Sequence, residues 1–182
     1  EPGVHQNFYD WAPIRKQWEQ ALLDDFDALG YIGRLNFIWN NAPLMNWRAA
    51  LPDGASIVAL DAALAQQVDA ALNETIGAVW SGYDRFEQNG GYGFALLKDG
   101  APASVAFAGA VGTKAVNIFV GTADQFQRQG LAKLVCSAFI ETTLARGLLP
   151  TWDTDSVNGR SRALAKRLGF VERDPFVEIG AY

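Results

Sequence analysis

The chain is poor in the residues from which metal and redox sites are built. Cys136 is its single cysteine, so an intramolecular disulfide is impossible and a cysteine-based zinc site has no ligand set. The single histidine, His5, stands near one end, and a histidine triad would need it to fold back over the site. No run of about 18 apolar residues is free of charge, so no membrane span is visible. Positive charge is also scarce. Lys and Arg number 15 against 20 Asp and Glu, a net charge of -5. The basic residues gather only at Arg160, Arg162, Lys166 and Arg167. Nucleic acid is therefore disfavoured as a general partner. The opening Glu1-Pro2-Gly3 is not a signal sequence, and a cytoplasmic location is the expectation.

What is present suits one domain with a small appendage. The hydrophobic fraction is 49% of 182 residues, enough for a sizeable core. Residues 1–55 hold Trp11, Trp18, Phe26, Tyr31, Phe37, Trp39 and Trp47, an aromatic density that sets them apart. "QWEQALLDDFDALG", Gln17 to Gly30, carries Trp18, Leu22, Phe26 and Leu29 at helical spacing, with Gly30 as a stop. The boundary is placed at Leu51-Pro52-Asp53-Gly54, with residues 56–182 as the main domain.

In the main domain "SIVAL" is a short strand and Asp61 caps the helix "AALAQQVDAAL". A second helix is predicted from Thr75 to Gln88. Residues 92–122 then alternate strand and turn, with Lys98-Asp99-Gly100 as the clearest hairpin connection. Leu131, Leu134, Val135, Ala138, Phe139 and Thr142 mark one face of a strong helix that Gly147 ends. "LLPTWDT" is a strand, "NGRSRALAKRLGF" an amphipathic helix stopped by Gly169, and "FVERDPFVEIGAY" returns as strand. The order from Ser56 is β-α-α-β-β-β-α-β-α-β, a mixed α+β arrangement.

The segment Gln127-Arg128-Gln129-Gly130-Leu131-Ala132 opens the long helix directly after an apolar strand. A helix start leaves about four backbone N–H groups unpaired, and they attract anions. Gly130 lets a ligand approach the backbone, Ala132 keeps the next turn bare, and Arg128 adds a cation. An ordinary helix start with a flexible turn has the same composition. The three-glycine dinucleotide fingerprint is missing, and so is the glycine run before Lys133 that a P-loop requires.

Two motifs together resemble the GCN5-related N-acetyltransferase (GNAT) family. The first is Gln127-Arg128-Gln129-Gly130-Leu131-Ala132, standing for Gln/Arg-x-x-Gly-x-Gly/Ala. The second is "NGRSRALAKRLGFVERD", with Asn158, Ser161, Leu164, Ala165 and Leu168-Gly169-Phe170. The "RGLLPTWDT" segment is similar to a bacterial subgroup with an additional N-terminal region. The resemblance spans residues 55–182. It implies a twisted, mostly antiparallel sheet flanked by helices and splayed between "VNIFVGT" and "LPTWDT". It also implies an acetyl-CoA (coenzyme A) site. Backbone groups of Ile118, Phe119 and Val120 would hold the pantetheine, with the Val120 N–H polarising the acyl carbonyl. The N–H groups of Arg128, Gln129, Gly130, Leu131, Ala132 and Lys133 would hold the pyrophosphate. Asn158 and Ser161 would touch the cofactor arm.

The implied reaction is direct acyl transfer to an amine, which needs an oxyanion donor and a proton acceptor. Two departures bear on it. Where many family members carry a tyrosine acid after the Asn, this chain has Ser161, leaving Tyr83, Tyr92 and Tyr182 as remoter candidates. Where the strand often carries a glutamate, it has Asn117. Asp153 is ranked first as base, ahead of Asp124 and Asp155, although each equally suits a turn or cap. Trp152 is a candidate pocket wall, and Cys136 is expected to be structural.

The expected acceptor is a primary amine of a small molecule or peptide. Asp84, Glu87, Asp153 and Asp155 suit a cationic amine, whereas a carboxylate-bearing ligand would need Arg34, Arg48 or Arg85. A non-catalytic acyl-CoA-binding or regulatory domain and a protein-modifying acetyltransferase are the competing readings. The N-terminal region is offered as a partner surface or as the pairing element of a homodimer.

Overall fold

The computed structural model describes residue 20 and residues 29–181, with residues 29–31, 177 and 179–181 described by their backbone alone. The helix expected over Gln17–Gly30 lies mostly outside these residues. Its last positions, Leu29 and Gly30, begin a strand instead.

One sheet organises the chain. Its strands are β1 (Leu29–Trp39), β2 (Ala55–Ala59), β3 (Gly93–Lys98), β4 (Ala101–Val111), β5 (Ala115–Thr122), β6 (Leu149–Asp155), β7 (Phe170–Glu172) and β8 (Phe176–Ala181). They run in the order β2-β3-β4-β5-β6-β1-β7, with β8 also paired to β1. Every pairing is antiparallel except β5 with β6. The expected α+β sheet is therefore found.

The expected boundary near residue 55 does not separate an appendage from this sheet. β1 comes from the aromatic N-terminal region and lies between β6 and the β7–β8 edge. Its sequence explains the placement. Leu35, Phe37 and Trp39 alternate with Arg34, Asn36 and Ile38, and the first set is buried. A strand with one wholly apolar face is stable only where that face is covered.

The helices are α1 (Ala62–Leu72), α2 (Ile76–Val79), α3 (Tyr83–Gln88), α4 (Leu131–Ala145) and α5 (Gly159–Leu168). Asp61 caps α1 as expected, accepting from the Leu64 N–H at 2.7 Å. The single helix expected over 75–88 is instead split into α2 and α3. Ser81 at φ 56° and Gly82 at φ 131° interrupt it, because neither angle belongs to a helix.

α1, α2 and α3 cover one side of the sheet, where Val68, Ile76 and Phe86 meet Val105 and Phe107. α4 and α5 cover the other, where Val135, Phe139, Ala165 and Leu168 join Phe37, Ile118 and Trp152. Burial of each Val, Leu, Ile or Phe among them supplies about 1.5–3 kcal/mol before entropy is counted. Cys136 lies fully buried in the second core, and burial pushes its thiol well above the ordinary range. The residue is a packing element there. Among the described residues no helix is long and apolar enough to cross a membrane.

Candidate active site

The site begins where two parallel strands part. β5 and β6 pair at Ala115↔Leu149, Val116↔Pro150 and Asn117↔Thr151, and the pairing stops there. Beyond it, Ile118, Phe119 and Val120 diverge from Trp152, Asp153 and Thr154, and these residues line an open cleft. On its other edge β5 remains paired to β4 through Ala108↔Ile118, Phe107↔Phe119 and Ala106↔Val120. Backbone groups of β5 that would have bonded β6 therefore face the cleft. A strand edge of this kind accepts an extended ligand arm as an added strand.

The β4 side of the cleft is irregular for a reason. The β4–β5 register shifts between Ala108 and Ala110, so Gly109 is extra. A Cβ at Gly109 would fall on the Phe119 ring. The Trp80 indole N–H bonds the Ala108 carbonyl at 2.8 Å and holds the bulge. Bulges of this kind re-aim side chains beside sites.

The segment expected to cradle an anion lies on the α4 side, at the end of β5. Gly130 sits at φ +81° as the residue before α4, and nothing lies within 4 Å of the Cβ position there. The Arg128 backbone is likewise left-handed, at φ 62°. Among the described residues the backbone N–H groups of Arg128, Gln129, Gly130, Leu131 and Ala132 have no acceptor. Lys133 differs from expectation, since its N–H bonds the Gly130 carbonyl at 3.0 Å. The loop is fixed by its own glutamines. Gln127 bonds the Thr122 carbonyl and Asp124, and Gln129 bonds the Gln125 carbonyl. Arg160 of α5 donates to Gln127 at 3.0 Å and adds a cation beside this loop, although in the sequence it is only one member of a basic cluster.

Asn158 and Ser161 both line the cleft from the start of α5. Asn158 is a genuine N-cap, accepting from the Ser161 N–H at 3.0 Å, and its amide nitrogen stays available. The Ser161 hydroxyl accepts from the Trp152 indole N–H at 3.0 Å, so its own proton remains to be donated. Trp152 is buried against Phe170 and forms the floor of the cleft.

The opposite face of the cleft is polar. Asn117 of β5 donates to Asp153 of β6 at 2.8 Å. Arg34 of β1 donates to both Asp153 and Asp155, and its Nε lies 3.4 Å from a Glu178 oxygen. Cross-strand register accounts for the pairings, since Asn36↔Asp153 and Arg34↔Asp155 are neighbours. Arg34 and Asp153 are largely buried, with side-chain exposures of 20% and 24%.

Other candidates fall elsewhere. Asp124 accepts from Gln127 at the loop. Tyr92 is buried against Phe139 with its hydroxyl on Thr143 at 2.7 Å, and Tyr83 sits beside Asp69. Neither lines the cleft. Tyr182 lies outside the described residues. Arg48 pairs with Glu141 on α4, and Arg85, Asp84 and Glu87 belong to α3, away from the cleft. Of the three arginines, only Arg34 reaches the site.

Comparison with known proteins agrees with this geometry. The family model described as GNAT acetyltransferase matches residues 8–178. The chain belongs to the GNAT acetyltransferase family, an acyltransferase class, and the match reaches well into the aromatic N-terminal region. It is similar to a protein of Bacillus subtilis (strain 168) named as an uncharacterized N-acetyltransferase, YdfB. The two are 28% identical over 120 residues, which is 66% of this chain and 46% of the relative. The chain thus spans less than half the length of that curated relative. Among solved structures, a GCN5-related N-acetyltransferase-like protein from Streptococcus suis 89/1591 superposes with a TM-score of 0.68 at 22% identity. That likeness covers 91% of this chain and 68% of the other. A tandem GNAT protein from the clavulanic acid biosynthesis pathway gives 0.65 at 15% identity, over 100% of this chain and 62% of that one. At these identities the structural likeness speaks for the fold.

Proposed function

We propose that this domain transfers the acetyl group of acetyl-CoA to a primary amine of a small molecule or peptide. The observation that carries the reading is the parting of β5 and β6 immediately after Asn117↔Thr151, beside a run of unbonded N–H groups at the start of α4. The distance between these features is set by a short loop, and they suit a long ligand with a pyrophosphate at one end.

The residues fit that co-substrate. The N–H groups from Arg128 to Ala132, with Arg160 beside them, would hold the pyrophosphate. The open edge of β5 from Ile118 to Val120 would hold the pantetheine arm. The Val120 N–H would face the acyl oxygen, where a fixed donor stabilises charge that develops only in the transition state. Asn158 would bond the arm, and the Ser161 proton would meet the leaving sulfur. The polar face of Arg34, Asp153 and Asp155 would receive the acceptor. Three carboxylates, Asp153, Asp155 and Glu178, surround one guanidinium there, which favours a cationic acceptor over an anionic one.

Calorimetric titration with acetyl-CoA tests this, with Gly130→Glu as the comparison. The substitution places an anion in the cradle, and its backbone strain of about 1–2 kcal/mol is monitored by circular dichroism. Binding to the natural protein and its loss in a folded variant are expected. No binding at sub-millimolar acetyl-CoA would overturn the proposal. Binding without CoA release across a panel of amines would leave a non-catalytic acyl-CoA module.

A further inference from the structure

Glu74 has no place in the site as the sequence reads, yet the fold sets it against β5. It follows Asn73, the left-handed residue that closes α1 at φ 54°, and precedes α2. A Cβ at Gly121 would fall on the Glu74 carboxylate. Gly121 directly follows Val120, so the carboxylate lies along the strand one residue past the proposed oxyanion donor. Glycine is required at 121 because the carboxylate occupies the space a side chain would take.

The link that carries Glu74 is held firmly. Both oxygens of Asp69 accept backbone N–H bonds, from Ile76 and Gly77, each at 2.9 Å. Glu74 also stands on the side of the sheet covered by α1, α2 and α3. The cradle and α5 stand on the other. A co-substrate seated on the α4 side would present its acyl carbon through the parted strands toward the Glu74 side.

Glu74 lies beyond the lining of the cleft, against Gly121, and the carboxylates nearer to it are already engaged. Asp153 holds Arg34 and Asn117, Asp155 holds Arg34, and Asp124 holds Gln127. Among the described residues the Glu74 carboxylate has no hydrogen-bond or ion-pair partner. Half-buried and beside Asp69, it is pushed above the ordinary glutamate range, first by burial and then by that neighbouring charge. Both effects make it a better proton acceptor than an exposed carboxylate.

We infer that the Glu74 carboxylate accepts the proton lost by the acceptor amine as the amide bond forms, an assignment that rests on the acyl-transfer reading above. The amine nitrogen forms a bond to the thioester carbon while its proton passes to Glu74. The C–S bond then breaks and the thiolate of CoA takes a proton from Ser161, which regains one from solvent, or from water directly. Glu74 returns its proton to solvent, so that amine and acetyl-CoA give amide and free CoA thiol. Asp153 becomes a positioning residue for the acceptor face.

The test compares wild type, Glu74→Gln and Gly121→Ala. Acetyl-CoA binding is measured by calorimetry, and CoA release is followed with putrescine, phenethylamine, glycinamide and a tripeptide with a free N-terminus. Glu74→Gln is expected to keep its acetyl-CoA affinity within about twofold and to lose about 100-fold or more in kcat. It should regain part of that loss at high pH, where more of the amine is already neutral. Its kcat profile should lose the lower-pH limb set by Glu74 and keep only the rise at higher pH set by the amine itself. The charged group facing Glu74 is Asp69 of α1, with Tyr83 of α3 beyond it, while Gly121, Thr122 and Ser104 on the strand side are neutral. Gly121→Ala, which pushes the carboxylate off the strand, should lower kcat at least tenfold and serves if Glu74→Gln fails to fold.

Wild-type kcat and an unchanged acid limb in folded Glu74→Gln would overturn the assignment alone. Equal kcat in Gly121→Ala would do the same. Absence of acetyl-CoA binding by the wild type, or binding with no CoA release by any amine of the panel, would overturn the acyl-transfer reading and this role with it.

Discussion

The Arg34 guanidinium of β1 reaches Asp153 of β6, joining the N-terminal strand to the wall of the cleft. The same guanidinium holds Asp155, and Asn117 completes the shell of Asp153 from β5. The pair therefore ties three strands together at the point where the sheet opens. Removing Arg34 would leave the carboxylates of Asp153, which is largely buried, and Asp155, which is partly exposed, side by side without their shared cation.

Arg34→Ala is expected to lower the unfolding free energy by about 1–3 kcal/mol. Asp153→Asn in that background should recover part of the loss, because it removes one of the stranded charges. A denaturant double-mutant cycle measures both. Additive single effects would show that the two side chains do not interact in solution.

Ser161→Ala removes the acceptor of the Trp152 indole N–H. Trp152 is buried, so an unmatched donor there should cost about 1–3 kcal/mol. If the hydroxyl also protonates the leaving sulfur, kcat falls while the acetyl-CoA dissociation constant changes little. Thermal melting and steady-state kinetics on the same sample separate the structural effect from the chemical one. An unchanged kcat would remove Ser161 from the proton path.

Stability should also depend on pH through Glu74. Its folded pKa is raised by burial and by Asp69. The sign follows from linkage. Stability from this group is fully present below the unfolded pKa, about 4.3, and is lost as pH rises through the folded value. Glu74→Gln removes that loss. The variant should melt at a higher temperature than the wild type at pH 7, with the difference closing below about pH 4.3. A wild type as stable as the variant at pH 7 would contradict this.

Gly169→Ala tests the connection that lets β1 enter the sheet. Gly169 ends α5 at φ 95°, and a Cβ there would fall on Ala42. The Asn40 N–H bonds the Gly169 carbonyl at 3.2 Å, so the exit of β1 rests on this turn. Left-handed strain and the clash together should cost about 2–4 kcal/mol. A change in melting temperature of less than about 2 °C would mean that the 40–42 segment yields freely.

Local chemistry was legible in the chain. Asp61 before an apolar helical run, Gly147 and Gly169 after two others, and the glycine-opened start of α4 each act within a few residues, so sequence alone determined those helix ends. The strand-turn pattern over 92–122 likewise produced β3, β4 and β5. The alternation of Leu35, Phe37 and Trp39 with Arg34, Asn36 and Ile38 is also visible in the sequence, although its aromatic density sets residues 1–55 apart as an appendage. Period-two patterning says that a strand needs a cover and does not say which sheet provides it. Only the tertiary structure inserted β1 between β6 and β7 and thereby carried Arg34 to Asp153. The same holds for Glu74. Nothing in Asn73-Glu74-Thr75 marks a carboxylate for the strand that follows Val120, and its neighbour Gly121 lies far along the chain. Its environment arises from burial and proximity, which are properties of packed neighbours and which no local spacing encodes. The sequence by itself determined most of the elements and the glycine-opened start of α4. The packing of distant strands decided which charged side chains stand at the cleft, because those contacts form only when the sheet closes.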